Sequence, residues 1–248
     1  MALVAAPRLA VAQGAPGPAL PMGMDIRKAA IGAWSEYAVT LEGIPPFKQR
    51  FSLVGRDAAT HSVEMASEGG TMGPAGKVVI KVILETDPAK RDRVRKLIMQ
   101  LADNDPMEMK QEPGAQTKQF APLNPRKLIG KQTVTVPAGS FATKHYRDKS
   151  GDDGQVDVWV SDEAPPFGIV KLQGSVSQGP GGPGHPITME LAARGQDAKP
   201  AVTKPAQPFD QGVLMGQMRR SIGNGAPAGP GKAQDKAQAK GQEKGKPK

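Results

Sequence analysis

The feature that most constrains this chain is a recurring pattern of short segments in which apolar and polar residues alternate, each closed by a turn-former. "WSEYAVTLE", "FKQRFSLVG", "HSVEMAS" and "KVVIKVILE" follow one another between residues 34 and 85, separated by Gly43-Ile44-Pro45-Pro46, Asp57 and Gly69-Gly70. The pattern returns in "KQTVTV", "SFATKHYR", "QVDVWVS", "FGIVKLQG" and "PITMELAAR". A period of two places successive side chains on opposite faces of a pleat, so these segments read as half-buried strands. In "KVVIKVILE", Val78, Ile80, Val82 and Leu84 share one side. "TVPAGSFATKHYR" reads as two antiparallel strands joined through Pro137-Ala138-Gly139, proline presetting φ and Gly139 free to take the positive φ of a tight turn.

Between the two groups lies "DPAKRDRVRKLIMQLADN", beginning at Asp87. Asp87 suits an N-cap, Pro88 the first helical position, and Val94, Leu97, Ile98 and Leu101 fall at helical spacing, so a helix is expected here. "DIRKAAIGA" from Asp25 and "FDQGVLMGQM" from Phe209 read as shorter helices, the latter docking through Phe209, Val213 and Met218. Strands at intervals of about ten residues with an inserted helix predict an α+β fold. Its form is a curved antiparallel sheet, an unclosed barrel, with one or two helices on the concave side.

Glycine and proline concentrate in residues 14–23, 174–186 and 200–248 and mark the boundaries. "ALVAAPRLAVAQ" ends in the small-residue pattern that precedes a signal-peptidase cut, so residues 1–12 read as a signal-peptide remnant. Residues 13–24 form a Gly/Pro spacer, 25–195 a single β-rich domain and 196–248 a disordered tail. The formal charge of +9 is uneven: from Pro200 onward nine basic residues face three acidic ones. Lysines at 232, 236, 240, 244 and 248 would stack like charges along a helix, and glycines stand among them. This basic tail suits an anionic envelope surface. Interleaved aromatics for base stacking are missing, so no nucleic-acid partner is expected.

The absence of cysteine excludes a disulfide framework, a thiol nucleophile, thiolate zinc sites and a lipobox anchor. No nucleophile elbow, phosphate loop, HExxH or dinucleotide fingerprint occurs. The three histidines, His61, His145 and His185, stand far apart. "DKSGDDGQVD" fails as a calcium loop because Gly154 comes one place late and Trp159 stands where glutamate is needed. Met22/Met24 and Met107/Met109 are isolated pairs, weak evidence for a soft metal. The chain therefore reads as non-enzymatic, without metal or cofactor, and no apolar run is long enough for a membrane span.

"WSEYAVT", "SLVGRD", "HSVEM", "VPAGSFATKHYR" and "VDVWVSDEAPPFGIVK" resemble a group of uncharacterised secreted bacterial proteins. More distantly they are similar to the LolA/LolB and LppX-type lipoprotein and lipid carriers. The resemblance implies a periplasmic or secreted location and an unclosed barrel whose hollow holds acyl chains. Trp34, Phe51, Met65, Ile83, Leu97, Leu101 and Trp159 are the candidate lining of such a hollow, and alternation sends Trp34 and Tyr37 to opposite faces. Two functions follow as expectations: a carrier of a lipid or lipoprotein acyl chain, or an interaction scaffold with a filled core.

Overall fold

Alternation does most of the work in this fold, because almost every apolar-polar segment becomes a strand with one face inward. A computed structural model describes residues 23–70, 76–86, 94–109, 123–150, 154–177 and 184–217. The strands are β1 (Trp34–Leu41), β2 (Ile44–Arg56), β3 (Thr60–Gly69), β4 (Lys77–Glu85), β5 (Val94–Leu101), β6 (Met107–Glu108), β7 (Leu128–Val136), β8 (Gly139–Ser150), β9 (Gly154–Val160), β10 (Ile169–Ser177), β11 (Gly184–Gly195) and β12 (Gln207–Pro208). They form one sheet in the order β12-β6-β5-β4-β3-β2-β1-β11-β10-β9-β8-β7. Two antiparallel meanders thus meet at the β1/β11 pair, and only the short β12/β6 pair is parallel. The linear order has two ends, so the sheet is not closed into a barrel.

The sheet nevertheless curls strongly. The tip of the β7–β8 hairpin reaches β11, where the Ala138 N–H donates to the Leu191 carbonyl at 3.0 Å. The concave side so formed holds one apolar core. Tyr37, Phe51, Leu53, Val63, Val82, Val158, Ile169 and Leu191 are essentially inaccessible there. The loop after β9 folds inward and contributes Ala164 and Phe167, and Ser35 Oγ ties it down through the Pro165 carbonyl at 2.5 Å. In β4, Val82 and Leu84 point into this core as the alternation requires.

The α+β balance is corrected by β5. Residues expected as a helix form a strand paired with β4 in the register Val82↔Leu97 and Val78↔Leu101. Apolar groups at 94, 97, 98 and 101 fit the helical period, and a run of eight residues is equally the length of a strand covered on both faces. Here both faces are covered. Leu97 and Leu101 point to the concave side, while Ile98 packs outward against Val79 and Val202. The capping signal at Asp87-Pro88 lies outside the described residues. At the N-terminal side "DIRKAAIGA" makes only a 3₁₀ turn, Ile26–Lys28, whose Arg27 N–H is capped by the Asp25 carboxylate at 3.1 Å. Among the described residues the one α-helix is α1, residues 211–217. Asp210 caps it by accepting from the Val213 N–H at 2.9 Å, and its buried face carries Leu214 and Gln217, whereas Val213 is exposed.

Beyond residue 195, expected to end the domain, the chain continues as a strap across the convex side. The Ala198 N–H donates to the Gly32 carbonyl at 3.0 Å. Buried Glu64 of β3 accepts the Ala201 and Val202 N–H groups at 2.7 and 3.1 Å. Lys81 of β4, 3.8 Å from the same carboxylate, donates to the Val202 carbonyl at 3.2 Å. Val202 closes a small apolar cluster with Val79 and Ile98, and the strap then pairs as β12 with β6. Its lack of apolar periodicity misled the sequence reading; its anchors are backbone groups, which carry no sequence signature.

The β7–β8 turn is as expected. Gly139 has φ +124°, and a Cβ there would meet no atom within 4 Å. Gly139→Val therefore strains the backbone without a clash. It is expected to lower stability by more than about 1 kcal/mol, read as a lowered denaturant midpoint; an unchanged midpoint refutes the need for glycine.

Candidate functional site

The candidate lining residues divide between the two faces of the sheet. Phe51, Met65, Leu97 and Leu101 share the concave side, Phe51 and Met65 in one cluster and the two leucines further along on β5. Phe51 lies opposite Met65 across β2/β3, and Met65 opposite Ile80 across β3/β4. Phe51 and Leu101 are fully enclosed. The ring of Phe51 meets Tyr37 and Phe167 edge-on, with centroids 5.6 and 5.4 Å away, so three aromatics occupy the middle of the concavity. Tyr37 also donates its hydroxyl to the Ile169 carbonyl at 2.9 Å, and burial pushes that phenol well above its usual range. Towards β5 the packing thins, and Phe47, Met65, Ile80, Leu97 and Met99 are only half-buried.

Trp34, Ile83 and Trp159 face the other way. Trp34 lies flat over Gly195, where a Cβ would come 2.6 Å from its Nε1, and is held by Asp197 Oδ1 at 2.7 Å and by the Arg50 guanidinium 4.0 Å over the ring. Ile83 is half-buried between Ser62 and Lys96, opposite to Val82 and Leu84. The expected separation of Trp34 from Tyr37 therefore holds, with Tyr37 inward.

Trp159 belongs to a polar array on the convex side of β8–β11. Cross-strand registry sets His145 beside Trp159 and Lys171, and Arg147 beside Asp157 and Gln173. The His145 and Trp159 rings stack with centroids 4.4 Å apart and planes 12° apart. Lys171 approaches the indole at 5.9 Å and pairs with Glu190 at 2.8 Å. Asp157 is the hub, bonded to His145 Nε2 at 2.7 Å and accepting from Arg147 Nε at 2.8 Å. Burial pulls its carboxyl upward, but the hydrogen bonds from Arg147 and His145 outweigh that and hold it below the ordinary aspartate value. His145, Arg147, Asp157 and Trp159, together with Gln155, Gln173, Gly174, Pro186, Ile187 and Thr188, line an open groove of about 400 Å³. Alternation sets Asp157 and Trp159, and likewise Lys171 and Gln173, opposite the core residues Val158, Val160 and Leu172, but it would have sent His145 and Arg147 to the side of Phe141. It could not have aligned residues from four strands, because that needs the register.

Among the described residues no cluster of three or more potential metal ligands occurs, and no helix is long and apolar enough to cross a membrane. The chain is similar to a solved hypothetical protein from Chlamydia trachomatis, at 12% identity and a TM-score of 0.41, over 75% of this chain and 98% of that one. No protein-family model matches it, and the comparison with curated proteins finds no significant match.

Proposed function

We propose that this chain is a non-enzymatic, exported envelope protein that acts as a packed interaction scaffold, its lysine-rich C-terminal segment contacting anionic surfaces. The observation that carries this reading is the filled concavity: Tyr37, Phe51 and Phe167 occupy the place where an acyl chain would lie. The resemblance of "VPAGSFATKHYR" and "VDVWVSDEAPPFGIVK" to secreted bacterial proteins supports export. One observation favours the carrier reading as second choice. The half-buried row Phe47, Met65, Ile80, Leu97 and Met99 offers an apolar wall to a ligand entering from the β5 side.

Vesicle sedimentation separates the two. Basic residues near an anionic surface contribute about 1 kcal/mol each. The full chain is expected to sediment with phosphatidylglycerol vesicles at low salt and not with phosphatidylcholine. Truncation after Arg220, or roughly 1 M salt, is expected to release it. Equal sedimentation of the truncated chain overturns the tail's role. Saturable binding of a fluorescent fatty acid, displaced by lipid, decides for the carrier.

A further inference from the structure

The groove over β8–β11 has a chemistry that neither reading uses. Its charges are compensated internally: Asp157 engages His145 and Arg147, and Glu190 engages Lys171. An anion therefore finds no uncommitted cation cluster there. The groove also lies on the face of the sheet, not on its edge, so the strand backbones are already paired and an extended peptide cannot add as a strand. The neutral hydrogen-bonding groups that line the groove are the Gln173 amide, the Thr188 hydroxyl and the Gln155 amide, whose Nε2 donates to Asp157 Oδ2 at 3.4 Å, beside Arg147, whose Nη2 donates to the same oxygen at 3.4 Å. They rise from adjacent strands about 4.8 Å apart, a spacing close to the width of a hexose ring. The wall behind them is Trp159, fixed by its stack on His145.

We infer that this groove binds a neutral polyhydroxylated ligand, a mono- or disaccharide, whose hydroxyls bond to Gln155, Gln173, Thr188 and Arg147 against the Trp159 wall. Its volume of about 400 Å³ falls within the range of small-ligand sites. The assignment does not depend on the scaffold reading, since vesicle binding and groove binding can fail separately.

The chain has two tryptophans, which supply a probe and its control. The Trp34 indole N–H is already bonded to Asp197, outside the groove. Titration of ¹⁵N-labelled full chain with maltose or N,N′-diacetylchitobiose is expected to shift the Trp159 indole resonance saturably, with Kd on the order of 1 mM, and to leave that of Trp34 in place. Gln173→Ala, at an exposed position, is expected to weaken binding about tenfold, the loss of one hydrogen bond. The inference is overturned if both indole resonances drift together without saturation. It is also overturned if sodium sulfate saturates the shift and the sugars do not, or if Gln173→Ala binds as tightly as the parent.

Discussion

Glu64→Ala is expected to lower stability by about 2–3 kcal/mol and to release the strap that follows β11. The carboxylate is buried on the convex face of β3, where alternation alone would leave a glutamate solvated. It stays there because three donors surround it: the Ala201 and Val202 N–H groups and, at 3.8 Å, the Lys81 ammonium. Removing the carboxylate leaves two backbone donors without their acceptor and a largely covered ammonium without its counter-charge, and that desolvation dominates the cost. Glu64→Gln keeps the shape and one acceptor oxygen, so an intermediate loss is expected. The readouts are the urea midpoint and amide hydrogen exchange. Exchange at Ala201, Val202 and the outer edge β12–β6 is expected to accelerate in the variant, with β8–β10 unchanged. An unchanged midpoint with intact protection at Val202 would show that the strap is held by its apolar contacts alone.

The strap also explains where the sequence was legible and where it was not. Strands β1 to β4 and β7 to β11 could be read because one face of each meets the core and the other is mostly polar, which writes a period of two into the residues, even where the strap covers Glu64 and Val79. Strand β5 could not. Its outward Ile98 is covered by Val202, so both faces carry apolar groups and the spacing 94, 97, 98, 101 imitates a helix. The covering segment, "KPAVTKPAQP", has prolines and lysines that read as tail. A chain bonded through its backbone needs no periodic side chains, and among its receptors is a glutamate 137 positions before Ala201. The same limit applies to the groove. That Trp34 and Tyr37 take opposite sides of the sheet follows from alternation. That Trp159 meets His145, and Arg147 meets Asp157, depends on the register in which β8 and β9 pair.

Phe51→Ala is expected to be the most destabilising single change considered, by about 3–5 kcal/mol, and it bears directly on whether the concavity is hollow. If Phe51 lined a ligand cavity, its ring would border open space, and truncation would enlarge a void already present at modest cost. The structure instead places it 1% exposed, edge-on to both Tyr37 and Phe167. Truncation then removes two aromatic contacts and opens a new cavity, because strands β1 to β3 are hydrogen-bonded in register on both sides and cannot collapse to fill it. Phe51→Leu, which leaves much less empty space, is expected to cost less than half as much. The cavity in Phe51→Ala would be lined by Tyr37, Phe167 and aliphatic neighbours, and apolar cavities of this kind stay dry and accept small hydrocarbons. The variant is therefore expected to gain thermal stability from benzene, whereas the parent chain gains none. Stabilisation of the parent to the same degree, with a Phe51→Ala loss below about 1 kcal/mol, would mean that the space exists before the mutation and would move the assignment from scaffold to carrier.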